Sequence, residues 1–210
     1  MKTYHKIQTV FKRNPKTKFK TLLDGRFSLP EFEYLKKNKW IFTEKVNGTN
    51  IRIMFRDRKI TFGGKTDRSV IPKQLLKNLS EKNLPLFEKF IEISNNGESF
   101  CLYGEGYGEK IQSGGKYRAN QDFVLFDIKI NHCWLKREDV ETIANKLNLD
   151  IVPIVGSGTL RDLVNMVKTG FNSKWGKFMA EGIVARPEND LLDRNGNRII
   201  TKLKHKDFKN

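Results

Sequence analysis

Between Trp40 and Phe62, apolar and β-branched positions alternate with polar ones: Ile51, Ile53 and Phe55 fall on one parity, Arg52, Met54 and Arg56 on the other. A period of two belongs to a strand with one buried face, so this stretch predicts two or three strands. Lys45-Val46-Asn47-Gly48 then ends the first strand or begins its turn. The strand signal returns at residues 100–107 and 123–130. A last pair is expected around the turn Asp193-Arg194-Asn195-Gly196, one strand ending near Arg186 and one running from Arg198 to about Lys204. Elsewhere the period lengthens. Pro72 suits the first turn of a helix with Leu75, Leu76 and Leu79 on one face, and Pro85 begins a second through Phe87, Phe90 and Ile91. Val140, Ile143, Ala144 and Leu147 follow the spacing i, i+3, i+4, i+7, and Leu160, Leu163, Val164 and Val167 repeat it. Strands outnumber helices and many are joined as hairpins, which predicts an α+β fold with mainly antiparallel sheets.

No repeat, low-complexity stretch or linker interrupts the pattern, and 210 residues suit one domain over 1–210 with a substantial core. Charge changes the picture more than length does. Lys and Arg total 40 against 24 Asp and Glu, a formal +16, which favours a polyanionic partner through counterion release. Nucleic acid comes before acidic membrane, because the chain has no apolar run of about 18 residues and its first 20 residues lack the apolar stretch of a signal peptide. A soluble, cytoplasmic protein is expected, in the host cytoplasm if a virus encodes it. The segment 1–20 carries Lys2, Lys6, Lys12, Arg13, Lys16, Lys18 and Lys20 and no acid, with Tyr4, Phe11 and Phe19 interleaved. A solvated arm and a strip along a phosphate backbone both have this composition. Cys101 and Cys133 are too few for a disulfide framework or a four-thiolate zinc site, and are read as free, buried thiols.

The chemistry begins at Thr43-Glu44-Lys45-Val46-Asn47-Gly48-Thr49-Asn50, where a lysine stands at a strand end before an Asn-Gly turn that lets the backbone come close to a ligand. A lysine amine is protonated at neutral pH and attacks only when lost hydration or nearby positive charge loosens its proton. Lys202, Lys204 and a metal ion could supply that charge. K-x-x-G alone recurs by chance in a chain this rich in lysine and glycine, so the weight falls on four elements nearer the C-terminus. Glu105 sits among glycines in Gly104-Glu105-Gly106 and could accept ribose hydroxyls. Phe126, in Phe123-Val124-Leu125-Phe126-Asp127-Ile128, either stacks on a purine or fills a core. Glu181, before Gly182-Ile183-Val184, either holds a hard cation or makes an exposed salt bridge. Lys202 and Lys204 share one side of a strand by the two-residue period, as a triphosphate clamp or as a solvated basic face.

In this order the five elements resemble the covalent nucleotidyltransferase superfamily of DNA ligases, mRNA capping enzymes and RNA ligases, and most closely the ATP-dependent RNA ligases of the RNA-editing and phage nick-sealing type. The resemblance runs from Lys45 to Lys204. It implies the superfamily's catalytic fold, ATP-grasp-like, with antiparallel sheets enclosing the nucleotide. It implies that Lys45 forms lysyl-AMP, that Glu44 and Val46 flank the nucleotide with Glu44 seating the purine edge through its backbone, and that Asn50 lies near ribose or phosphates. Arg68 would contact the nucleotide or the 5′-phosphate, Glu105 the ribose, Phe126 the adenine, Glu181 a Mg2+ or Mn2+ ion, and Lys202 and Lys204 the phosphates. The partner implied is RNA, or RNA-containing nucleic acid, with 5′-phosphate and 3′-hydroxyl ends. The chain would act as a monomer, with or without an accessory protein. Asn47 stands where DNA ligases and capping enzymes usually carry aspartate, which speaks against a DNA ligase or a guanylyltransferase more than against an RNA ligase. With six residues after Lys204, no C-terminal OB-fold is expected. The rival of another class is a nucleic-acid-binding protein built on an inactive ligase domain.

Overall fold

In the computed structural model, which describes residues 3–95 and 97–208, the chain order is mixed α and β. Strands β1 (Gln8–Thr9), β2 (Phe11–Arg13) and β3 (Leu22–Phe27) lead into a short helix α1 (Pro30–Tyr34) and β4 (Trp40–Glu44). Next come β5 (Thr49–Arg56), β6 (Lys59–Gly63), α2 (Lys73–Asn83), α3 (Phe87–Ser94), β7 (Phe100–Tyr107), β8 (Asp122–Ile130) and β9 (Cys133–Trp134). The chain closes with α4 (Arg137–Leu147), β10 (Asp150–Ile151), β11 (Ile154–Gly158), α5 (Leu160–Thr169), β12 (Gly182–Pro187) and β13 (Thr201–Lys204). These residues divide into two compact units, one formed by residues 3–5 and the described part of 47–152, the other by residues 6–46 and 153–208.

In the first unit the sheet runs β10-β8-β7-β5-β6, with β9 beside β8. Every pairing is antiparallel except β10 with β8. Its alternation works as the sequence predicts: Ile51, Ile53, Phe55, Phe100, Leu102, Leu125 and Ile128 join Leu75, Leu79, Phe90, Val140 and Leu147 of the helices in one core. Each such aliphatic or aromatic side chain contributes about 1.5–3 kcal/mol by leaving water. Leu76 departs from its expected face and is 39% exposed, because one residue along a helix is a turn of about 100°, and only Leu75 and Leu79 meet the sheet. Pro85 lies in a 3-10 turn, Leu84–Leu86, and the regular helix starts at Phe87.

The second unit holds a sheet in the order β1-β13-β12-β4-β11, antiparallel except for β1 with β13, and a separate β2-β3 hairpin. Trp40, Phe42, Ile183, Ala185 and Leu203 pack against Leu160, Leu163, Val164 and Val167 of α5, and the Trp40 indole N–H donates to Leu35 O at 3.0 Å. Helix α5 begins at a full capping box: Thr159 Oγ accepts from Asp162 N and the Asp162 carboxylate accepts from Thr159 N. The last strand begins at Thr201, and Arg198 lies before it, in an isolated bridge to Leu192. The segment expected to be a basic arm or strip folds into β1 and the first half of the hairpin; its Lys2 lies outside the described residues. Both cysteines are free, but Cys133 is exposed, correcting the expectation that both are buried: it sits in the two-residue edge strand β9, while Cys101 lies inside β7.

Candidate active site

In the second unit β4 and β12 run side by side, with Ile183 opposite Glu44, and the Lys45 N–H extends the pairing to Gly182 O at 3.0 Å. On the other side of β12, Gly182 faces Lys204 and Val184 faces Lys202. Gly182 has to be glycine: a Cβ there would lie 2.0 Å from Leu203 O. Leu203 is fully buried, so the two-residue period turns Lys202 and Lys204 to the face away from that core. This register brings three predicted residues together. Glu181 Oε2 accepts from Lys45 Nζ at 2.7 Å and Glu181 Oε1 accepts from Lys204 Nζ at 2.7 Å. Lys45 Nζ also donates to Val46 O at 3.3 Å. The side chains of Lys45, Glu181 and Lys204 are 19%, 11% and 24% exposed, so the amine is held in a half-enclosed ionic cluster and does not point into bulk solvent.

Glu44 shares the parity of Trp40 and Phe42, and is accordingly buried, at 1% exposure. Its Oε2 accepts from Lys174 N at 2.9 Å, its backbone N–H donates to Pro153 O, and its Oε1 has no hydrogen-bond partner. Burial holds this carboxyl above the usual glutamate range, against the lowering pull of the Lys174 N–H and the Ser173 hydroxyl. Val46 is buried at 3%. The Glu44 side chain thus anchors the turn at Ser173-Lys174-Trp175, a role the sequence reading missed although its parity with Trp40 was visible.

In the first unit Asn50 of β5 stands directly across from Glu105 of β7, and Glu105 across from Val124 of β8. Asn50 Oδ1 is buried without a hydrogen-bond partner, an acceptor awaiting a donor. Pairing slips between Tyr103 and Gly104, which face Asp127 and Leu125, so Phe126 is the extra residue of a β-bulge. The bulge turns both Phe126 and Asp127 to the Glu105 face. There the Tyr4 hydroxyl donates to Asp127 Oδ2 at 2.5 Å, and the Tyr4 ring meets Phe126 edge-on at 5.0 Å between centroids. Phe126 is half-buried, lies outside the helix-side core and packs against Tyr4. Tyr4 was read only as an aromatic of the basic segment, and Asp127 was not singled out, although it stands beside Phe126 in the sequence. Gly48 is required by the packing of the chain: a Cβ there would lie 2.1 Å from Gly106 O on β7. Arg68 is exposed in the loop after β6. That loop is tied down by buried Arg52, which donates from Nε to Gly64 O at 2.9 Å and from Nη2 to Asp67 Oδ1 at 2.7 Å, holding the Asp67 carboxyl below its usual range.

Glu181 is the predicted metal residue. Among the described residues no group of three or more His, Cys, Asp or Glu is disposed to cage an ion, and both Glu181 oxygens accept from ammonium groups. A single carboxylate is what Mg2+ usually takes from a protein when phosphate oxygens supply its other ligands.

The RNA ligase family model matches residues 38–204, most of the chain and all ten predicted site residues. The chain belongs to the RNA ligase family. Among solved structures, members of this family from Naegleria gruberi share its fold. An RNA ligase mutant with ATP and Mn superposes with a TM-score of 0.65 at 21% identity, over 85% of this chain and 54% of that one. A mutant with AMP and Mn gives 0.65 at 20% identity over 83% and 52%, and the enzyme with PPi gives 0.64 at 21% over 83% and 52%. The chain thus spans about half the length of these RNA ligases. The expected α+β nucleotidyltransferase fold of mainly antiparallel sheets is the fold observed.

Proposed function

We propose that this RNA ligase family member is an ATP-dependent enzyme that joins RNA ends through a lysyl-AMP intermediate on Lys45. The observation that carries the reading is the Lys45–Glu181–Lys204 cluster: a half-enclosed amine held at 2.7 Å by a carboxylate that a second ammonium also engages. With its proton released to solvent, Lys45 Nζ attacks the α-phosphorus of ATP; the P–N bond forms, the bond to pyrophosphate breaks and pyrophosphate leaves. Lys202 and Lys204, on one face of β13, then offset charge on the phosphoryl oxygens. A 5′-phosphate oxygen next displaces Lys45 from the AMP phosphorus, and a 3′-hydroxyl finally attacks that 5′-phosphate and expels AMP. A Mg2+ or Mn2+ ion bound with the triphosphate would neutralise developing charge, with Glu181 as its protein ligand.

The ATP and AMP of the Naegleria structures support adenosine as the nucleoside. On this reading Asn50 Oδ1, buried and unpartnered, accepts from the ribose, with Glu105 across the strand from it. Phe126 offers a half-buried ring to the base, Glu44 and Val46 fix the backbone around Lys45, and Arg68 reaches the nucleotide or the 5′-phosphate. A cytoplasmic, monomeric enzyme acting with or without an accessory protein accords with this chemistry.

The experiment is covalent labelling with α-labelled ATP or GTP, followed by sealing of nicked RNA and nicked DNA duplexes. Labelling by ATP and preferential sealing of RNA ends are expected. Labelling by GTP alone would mean a capping-type activity, and preferential DNA sealing would reassign the substrate.

A further inference from the structure

The second unit carries a basic cleft that the lysyl-AMP chemistry does not use. It encloses about 590 Å3 between the β2–β3 hairpin, the segment after α1 and one face of α5 along its length. Four cations line it: Lys36, Lys37, Arg161 and Lys168. The one carboxylate in its lining, Asp24, is ion-paired to Lys168. Asp162 stands next to Arg161, but its carboxylate accepts from Thr159 N and Thr159 Oγ at 2.8 and 2.7 Å. Lys36, Lys37 and Arg161 make no close ion pair with a carboxylate among the described residues, and Arg161 only adds to the lowering that Thr159 imposes on the neighbouring Asp162 carboxyl. Gathering like charges raises the energy of the folded chain, so the cluster does not stabilise the fold by itself.

Two features say what offsets it. The half-buried Phe27 ring lies in the same lining, braced by Phe11 at 5.3 Å between centroids, with Lys36 Nζ 5.8 Å from its centre. A cationic groove with an aromatic platform is the pattern that tracks a nucleic-acid backbone while a base stacks. The hairpin beside it exposes Lys12, Lys16, Lys18, Lys20 and Arg26 and ends in Phe19, 60% exposed, so the positive surface continues beyond the cleft. An acidic peptide would satisfy the charges without using the rings, and a flat anionic membrane would not enter a cleft.

We propose that this cleft grips the phosphodiester backbone of the RNA strand, separately from the groups that activate its end. The inference takes RNA as the polyanion from the ligase reading, and it is measured independently of that reading. The variant Lys36→Gln/Lys37→Gln/Arg161→Gln removes three cations that touch none of the proposed catalytic groups. Anisotropy of a fluorescent single-stranded RNA is titrated with both proteins from 50 to 200 mM salt. Counterion release at a slope of about −0.7 per contact means that three lost contacts shallow the salt dependence by about 2, so that between 50 and 200 mM salt the wild type should lose about twentyfold more affinity than the weaker-binding variant. The triple variant should unfold at the same temperature and label with ATP to the same extent, since labelling needs no RNA. That combination supports the inference. Weakened RNA binding with no labelling of either protein would also support it while sinking the ligase reading. Unchanged RNA affinity and salt slope overturn it, as does a variant that loses binding to phosphatidylserine vesicles while keeping its hold on RNA.

Discussion

Glu181→Gln replaces a carboxylate that two ammonium groups share. An ion pair at about 4 Å is worth roughly 4 kcal/mol at an effective dielectric of 20, and Glu181 makes two such contacts at 2.7 Å with side chains only 11–24% exposed. Desolvation of the three groups consumes much of that sum, but removing one partner does not restore it, because the remaining charges stay enclosed; the usual cost is about 3–5 kcal/mol. Glutamine keeps one oxygen as an acceptor, while its amide N–H must face the other ammonium donor to donor. We therefore expect a loss of about 3 kcal/mol, which for a chain of this size lowers the melting temperature by about 6–12 °C. Urea unfolding of wild type, Glu181→Gln and Glu181→Gln/Lys204→Met measures it, and the double variant, relieved of one ammonium, should recover at least about 1 kcal/mol. A Glu181→Gln protein within about 1 kcal/mol of wild type, or a double variant no more stable than the single, would refute the shared-carboxylate reasoning.

Glu44 gives a pH signature: its folded pKa lies above the unfolded value, so the native state holds the proton more tightly between the two. Its contribution to stability is present below the ordinary glutamate pKa and is lost as pH rises through the raised one; Glu44→Gln should flatten that fall, and an unchanged stability–pH curve counts against it. Burial pushes the Cys101 thiol up to about 12, so a thiol reagent near neutral pH should modify exposed Cys133 quickly and Cys101 only on unfolding. Two fast-reacting thiols in the native protein would contradict this. Gly48→Ala, whose Cβ would meet Gly106 O at 2.1 Å, should cost about 2 kcal/mol or more by forcing β5 and β7 apart, and a wild-type melting temperature would exclude that packing.

What could be read from the sequence was mostly local. The Leu160, Leu163, Val164, Val167 spacing and the Thr159–Asp162 cap both write α5, and the parity of Ile51, Ile53 and Phe55 gives the buried face of β5. The Lys45–Glu181–Lys204 cluster joins residues 136 positions apart, and only the order of motifs anticipated it. Three things were hidden. Strand β1 pairs with β13, Gln8 against Thr201, and its lysine-rich surroundings mask the alternation. The bulge at Phe126 breaks the two-residue period, so Asp127 lands on the face the pattern denies it. Cys133 is exposed because β9 is a two-residue edge, a fact of pairing and not of residue type.

The central claim concerns one amine, and peptide mass mapping after incubation with ATP and Mg2+ reads it directly. A single added AMP on the peptide that contains Lys45, absent from Lys45→Ala protein that melts like wild type, is the expected result. An unmodified Lys45 peptide, or AMP attached to another residue, would contradict the account.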